Sequence, residues 1–147
     1  YIGCEVDRYA KDDHQIEAAH ELGAGELSGK YDRVIDCVGN GQTLSLCTKT
    51  AKPGSWIVIL GIPMQGINLP GLRVIMNEIK IFPSIMYSST DGVKDFTIAA
   101  KVLSRYPEIG KIIITHRFRL DEAEEAFAVA GDKNSKSIKV VFDPSLT

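Results

Sequence analysis

Two strand-like runs, "YDRVIDCVG" (residues 31–39), apolar at Val34-Ile35 and Cys37-Val38, and "SWIVILG" (residues 55–61), continuously apolar from Trp56 to Leu60, flank a helix-patterned stretch, "QTLSLCTKTA", and each closes on a glycine. A strand with one face in water alternates apolar and polar residues, whereas a continuous run calls for cover on both faces. Parallel pairing supplies that cover, because the crossover between parallel strands is long enough to carry a helix over the sheet. The pattern therefore predicts an α/β architecture around a mostly parallel sheet.

The remaining segments keep the same rhythm. "EVDRYA" (residues 5–10) reads as a short strand, and a helix over residues 12–25 follows with Ile16, Ala19 and Leu22 on one face and Gly23 at its end. Pro53-Gly54 is expected as the turn into the strand at 55–61. Beyond it the pattern predicts a strand at 78–86, a helix at 92–106, a strand at 111–120, a helix at 121–132 and a strand at 137–143. No repeat, low-complexity stretch or linker interrupts this order.

A chain of 147 residues can bury about two thirds of its unfolded surface in one core. Its 17 basic and 19 acidic side chains give a formal charge of −2 with no long run of either sign. That balance argues against nucleic acid or a membrane surface as partner and leaves a small molecule or another protein. Cys4, Cys37 and Cys47 form an odd set without CxxC spacing, which speaks against a disulfide framework or a structural zinc and for a reducing, cytoplasmic compartment. No apolar stretch approaches the ~20 residues of a membrane span, and no signal-peptide pattern is present.

In open parallel sheets ligands bind beyond the carboxyl ends of the strands. Gly39 and Gly61 close two such strands; each either opens the backbone to a flat or charged ligand or serves only a tight turn. Asn40-Gly41 is expected as a strand-to-helix turn, with Asn40 or Gln42 near the helix cap. Cys37 is expected in a small buried position and Asp36 in a structural hydrogen bond. A nucleophilic role for Cys37 would need a base oriented on the thiol, and no local signature for one is present.

The series "HELGA", "YDRVIDCVG", "AKPGSWIVILGIP", "ITHRFRLDEAEEAF" and "SIKVVFDP", in this order across nearly the whole chain, resembles the cofactor-binding half of the medium-chain dehydrogenase/reductase superfamily, zinc-dependent alcohol dehydrogenases above all. The resemblance implies that residues 1–147 form an incomplete Rossmann-type, doubly wound, mostly parallel sheet, part of a family order 3-2-1-4-5-6. It also implies NAD or NADP as cofactor and hydride exchange with an alcohol or aldehyde. Carried over by position, Cys37, Val38 and Gly39 would lie beside the adenosine and its ribose. Leu60, Gly61 and Ile62, together with Ser84, Ile85 and Met86, would flank the nicotinamide ring and its carboxamide. Lys139 would either reach towards the pyrophosphate as a mobile point charge or stand solvated on an edge strand.

The residue closing the family's second strand decides between NAD, where an acid bonds the ribose hydroxyls, and NADP, where a basic group meets the phosphate. Taking "YIGCEV" as that strand gives Glu5 the acidic role but leaves about five residues too many before "HELGA". Counting back from "HELGA" puts Ala10 in the acid's place with Lys11 after it. This register needs no insertion and favours NADP, with Lys11, and Arg8 as a second candidate, near the 2′-phosphate. Lys11 solvated before a helix is the alternative.

The family's glycine-rich pyrophosphate turn has no counterpart here, since no GxGxxG stands in the sequence. The chain begins with Tyr1, just downstream of where that turn would lie. The expectation is a piece of a longer dehydrogenase, inactive alone, without the N-terminal catalytic domain and its zinc ligands. No catalytic residue and no metal ligand is expected in this chain: His14 and His20 are six residues apart on one helix, and His116 is on a strand. Loss of the first strand would leave its two neighbours with unpaired edges, to be filled by another segment, closed on each other, or rearranged. In the family, Ile67 to Leu69 and Ile79 to Met86 correspond to segments that pair across a two-fold axis, which predicts a homodimer, with Pro83 limiting the ladder. Two alternatives stay open: a zinc-free quinone or enoyl reductase of the same superfamily, and a non-catalytic nucleotide-binding or dimerisation module.

Overall fold

The computed structural model describes residues 3–64, 66–85 and 87–146. In chain order the elements are β1 (Asp7–Arg8), α1 (Asp13–Glu21), β2 (Gly25–Glu26), β3 (Tyr31–Asp36), α2 (Gly41–Thr50), β4 (Ala51–Ile59), α3 (Gly71–Met76) and β5 (Lys80–Pro83). They continue as β6 (Ser89–Thr90), β7 (Val93–Lys94), α4 (Asp95–Arg105), α5 (Pro107–Ile113), β8 (Ile114–Phe118), α6 (Ala123–Gly131) and β9 (Lys139–Phe142). The chain divides into two compact units, residues 28–95 and residues 1–27 with 96–147. No helix among the described residues is long and apolar enough to cross a membrane.

The 28–95 unit is built on a parallel sheet of order β3-β4-β5, in register at Val34↔Ile57↔Ile81. Leu44, Cys47 and Thr48 recur at helical spacing on α2, so one stripe of that helix meets the sheet. Leu44 and Cys47 make the core with Ala51, Ile57, Ile59 and Ile79, and Val34, Val74 and Ile81 pack at its margin. Leu44 and Ile57 are fully buried, each worth about 1.5–3 kcal/mol of transfer free energy. The other sheet face departs from the expectation of cover on both sides: Ile35 is 60% and Phe82 44% exposed. On that face Trp56 and Phe82 stack at 4.4 Å, and the Arg33 guanidinium lies 5.3 Å from the Trp56 ring centre. Long side chains thus shield the apolar strand surface where no helix of this unit does.

Several elements differ from the sequence reading: β2 and α3 have no counterpart in it, the strand at 78–86 shortens to Lys80–Pro83, and other starts move. The strand expected from 55 begins at Ala51, opposite Tyr31. Its ladder then breaks before Arg33↔Trp56, because Pro53 has no N–H to give and Gly54 turns at φ +72°. The helix expected over 92–106 starts at Asp95; ahead of it β6 and β7 form a hairpin around Asp91 and Gly92, both at positive φ, as a two-residue Asp-Gly turn requires. The first residues of the strand expected at 111–120 belong instead to α5, which Pro107 opens at its first position, and β8 begins only at Ile114.

In the other unit β1 pairs in parallel with β2, and β8 in parallel with β9. α1 ends as expected: Gly23 takes φ +84° and donates to the His20 carbonyl. Among the described residues of this unit only Ala126 is fully buried. β1 has β2 as its partner and β3 has β4 as its partner, so no described strand takes the place of the family's first strand.

Candidate functional site

The ends of the three-stranded sheet are level, with Asp36 opposite Ile59 and Ile59 opposite Pro83. Residues 37–39, 60–62 and 84–85 therefore leave the sheet side by side. Cys37, Val38, Gly39, Leu60, Gly61, Ile62, Ser84 and Ile85 are brought together in this way; Met86 lies outside the described residues. Ala10 and Lys11, between β1 and α1, and Lys139, the exposed first residue of β9, belong to the other unit.

Gly39 and Gly61 are placed against each other rather than around open space. A Cβ on Gly39 would stand 2.6 Å from the Gly61 carbonyl oxygen, and one on Gly61 would stand 2.2 Å from the Val38 carbonyl carbon. Gly39 also takes φ +75°. Of the two roles open to these glycines, the close turn is the one observed. The backbones of the β3–α2 turn and the post-β4 loop touch, and any side chain would force them apart.

Asp36 fastens both loops. Its buried carboxylate accepts the Val38 and Gly39 N–H on Oδ1 at 2.9 and 3.0 Å and the Thr43 hydroxyl on Oδ2 at 3.0 Å. Its carbonyl oxygen accepts from the Leu60 N–H at 2.8 Å and the Gly61 N–H at 3.0 Å. The structural hydrogen bond expected of Asp36 is thus a cluster. Asn40 is the helix cap: its side-chain oxygen accepts from the Gln42 and Thr43 N–H, and the Thr43 hydroxyl oxygen accepts from the Asn40 N–H. Short polar side chains absorb the turn's amides because no strand or helix neighbour can.

The rim of this crevice is apolar, with Val38 57%, Leu60 47% and Ile62 61% exposed. Cys37 corrects the sequence expectation: it is exposed, since the strand's alternation puts Asp36 inward and its neighbour outward. Cys47 is the buried thiol, and burial, reinforced by the Asp36 charge, pushes its pKa up to about 11. Among the described residues no group of three or more His, Cys, Asp or Glu side chains is placed to hold a metal ion.

In the other unit Lys11 is exposed and is followed at once by Asp12 and Asp13. Arg8 is turned inward, 3.7 Å from Glu26, and its buried Nε has no partner among the described residues. Sequence reasoning found the lips but missed Thr43 and the reach of Asp36. The available signal was an acid three residues before a glycine and four before a capping Asn, a spacing that lets one carboxylate meet consecutive turn amides.

A family model described as zinc-binding dehydrogenase matches residues 1–105. The chain belongs to this family. Sorbitol dehydrogenase from Mus musculus is 27% identical over 119 residues, which are 81% of this chain and 32% of that protein. L-arabinitol 4-dehydrogenase from Aureobasidium melanogenum is 26% identical over 117 residues, 78% of this chain and 30% of that one. The chain thus spans about a third of these curated relatives. Among solved structures, 2R,3R-butanediol dehydrogenase from Bacillus subtilis superposes with a TM-score of 0.72 at 20% identity, over 92% of this chain and 42% of that one. A short chain alcohol dehydrogenase from E. coli CFT073, complexed with NADH, gives a TM-score of 0.70 at 21% identity over 89% and 42%. These likenesses establish the Rossmann-type fold of the zinc-binding dehydrogenases.

Proposed function

We propose that this chain is the nicotinamide-dinucleotide-binding part of an NAD(P)-dependent dehydrogenase acting on an alcohol, with a polyol as the substrate class suggested by the sorbitol and L-arabinitol relatives. The observation that carries this is the crevice at the carboxyl ends of β3, β4 and β5, apolar at its rim and built around two interlocked glycines, in a chain of this family. Flat rings fit such a rim, and Val38, Leu60 and Ile62 are the side chains that would lie against them. Cys37, Gly39, Gly61, Ser84 and Ile85 complete the proposed contact set, with Met86 beside it in sequence. The cofactor, when bound, supplies the hydride; the part of the protein in hand orients its rings and keeps water from them.

Within this proposal NADP is the preferred form, with Lys11 after Ala10 attracting the 2′-phosphate and Lys139 serving the pyrophosphate. The groups that polarise the substrate are assigned to polypeptide outside these 147 residues, in keeping with the greater length of the relatives. Ile67 to Leu69 and Ile79 to Met86 are proposed as the homodimer contact. Ile67 and Leu69 are exposed loop residues, whereas Ile79 is core, so Lys80–Pro83 would supply the pairing edge. Three free cysteines are the ground for proposing the cytoplasm. Calorimetric titration of the chain with NADPH and NADH tests the reading. Binding of both with NADPH tighter is expected. No heat from either at millimolar concentration would refute the cofactor assignment, and a preference for NADH would refute the role of Lys11.

A further inference from the structure

Arg73 is a cation without an acid beside it. It stands half-buried on α3, where its Nη1 donates to the Thr48 hydroxyl oxygen at 3.2 Å. Thr48 is 1% exposed and gives its own hydrogen to the Ser45 carbonyl at 2.9 Å. Among the described residues the ion pairs are made by Arg8, Lys52, Arg117 and Arg119, and none by Arg73. A guanidinium carries five N–H donors, so the Thr48 contact leaves most of the fork unspent. Arg73 also lines a hollow of ≈ 480 Å³ together with Pro70, Gly71, Leu72 and Met76. Thr48 belongs to the last turn of α2, beside the amino end of β4, so this cation is anchored at the end of the sheet opposite residues 37–39 and 60–62. The backbone that carries it is tied down as well. Asn77 donates to the Arg73 carbonyl through its N–H at 3.2 Å and its Nδ2 at 2.9 Å, and the Asn77 carbonyl accepts the Gly54 N–H at 2.7 Å.

We propose that this hollow is a binding site for a carboxylate carried on a short aliphatic body, with Arg73 holding the carboxylate and Pro70, Leu72 and Met76 taking the chain. Withdrawing a charge from water costs free energy that an opposite charge offsets, and the planar fork of arginine matches a carboxylate through two parallel hydrogen bonds. The walls call for the rest of the ligand. Leu72 is 78% and Met76 73% exposed, apolar surface that an aliphatic body would remove from water. Leu72 and Met76 are four residues apart on α3 and Arg73 and Met76 three, so the cation and both walls stand together. A few polar groups in an otherwise apolar lining, in a space of this size, is the ordinary composition of a small-molecule site. Inorganic phosphate would meet the cation but leave the walls wet, and an alcohol of the same chain would cover the walls but leave the cation unpaired. The site goes beyond the dinucleotide reading and does not depend on it.

The test titrates the full chain, labelled with 15N, with hexanoate, hexanol and inorganic phosphate at matched concentrations. Hexanoate should shift the Leu72, Arg73 and Met76 amides and the Arg73 Nε–H saturably in the millimolar range, and leave the Val38 and Gly39 amides in place. Hexanol and phosphate should each shift the α3 signals far less. Arg73→Leu should weaken hexanoate binding roughly tenfold or more, the loss expected when charge-assisted hydrogen bonds to a carboxylate are removed. Arg73→Lys, which keeps the charge but not the fork, should bind with intermediate affinity, and it carries the comparison should Arg73→Leu fail to fold. No saturable shift on α3, a shift by hexanol or phosphate as large as that by hexanoate, or undiminished hexanoate binding by either variant overturns the proposal.

Discussion

Replacing Gly61 with Ala sets one methyl group against backbone that cannot yield cheaply. The new Cβ would lie 2.2 Å from the Val38 carbonyl carbon and 2.4 Å from the Gly39 nitrogen, where carbon contacts normally settle at about 3.5–4.0 Å. The loops must part by more than an ångström. Overpacking of this kind costs about 1–3 kcal/mol, and parting the loops strains the Leu60 and Gly61 hydrogen bonds to the Asp36 carbonyl, each worth ~1 kcal/mol. The sum is about 3–5 kcal/mol. Gly39→Ala meets the Gly61 carbonyl oxygen at 2.6 Å and adds a left-handed backbone penalty of ~1–2 kcal/mol at φ +75°, so it should cost at least as much. Because both methyl groups fill one gap, the double variant should cost about 2–3 kcal/mol less than the sum of the singles. Urea unfolding of parent, singles and double measures each term, with Gly41→Ala as the neighbouring control. Beyond its chain neighbours and its own helix backbone no atom lies within 4 Å of that control's Cβ, and the position opens a helix, so its stability should match or slightly exceed the parent's. Gly61→Ala within ~0.5 kcal/mol of the parent, or strict additivity in the double variant, would refute the interlock.

Other perturbations follow from single groups. Asn40→Ala, which strips the cap from α2, should lower stability by ~1 kcal/mol in the same assay, and Asn40→Ser should restore most of it. Ser55 is 4% exposed with no partner for its Oγ among the described residues, so Ser55→Ala should be neutral or stabilising by ~1 kcal/mol; a loss of that size would reveal a partner. Ser145 first, and Arg117 after it, hold the Asp143 carboxyl below its ordinary 3.8, so this pairing stabilises the fold above that pH and ceases to as pH falls below it. The gap in urea midpoint between parent and Ser145→Ala should accordingly be present at about pH 6 and close in acid. At about pH 8 a disulfide-exchange reagent should label Cys4 and Cys37 promptly and Cys47 only on unfolding, because burial keeps the Cys47 thiol protonated; three prompt thiols would contradict the placement of Cys47 in the core.

The parallel sheet and its carboxyl-end crevice were legible because apolar strand runs and their closing glycines are local signals, whereas cover on both faces did not follow from them, since Ile35 and Phe82 stay exposed. The strand reading of 111–113 failed because three successive isoleucines suit a strand as well as a buried helix turn, and Pro107, six residues from Ile113, was the local cue that a helix starts there. The β6–β7 hairpin fell partly under the helix read from residue 92, although Asp91-Gly92 is a turn signal in its own right. What no local pattern could show is which of two glycine roles holds, since the atoms that fill the space beside Gly39 belong to Gly61, across a helix and a strand. The same distance hid Asp36: its carboxylate bonds are local and readable as an Asx-type turn, but its carbonyl bonds to Leu60 and Gly61 exist only once β3 and β4 are in register.

Asp36 and Asn40 divide the work of this turn in a way that explains why an acid stands at one position and an amide at the other. Asn40 faces a helix start at the surface, where its oxygen takes two amides and its NH2 group can turn to water. Asp36 is 3% exposed and meets donors only, two N–H groups on one oxygen and a hydroxyl on the other. An amide there would present its own NH2 to the Thr43 hydroxyl, which must then accept rather than donate, turning its hydrogen to the Asn40 carbonyl 3.0 Å away. That alternative exists geometrically, so Asp36→Asn should fold, with a loss of about 1–2 kcal/mol from exchanging charge-assisted bonds for neutral ones. A larger loss would mean that Thr43 cannot turn, and that the carboxylate is fixed by the cap as firmly as it fixes the lips.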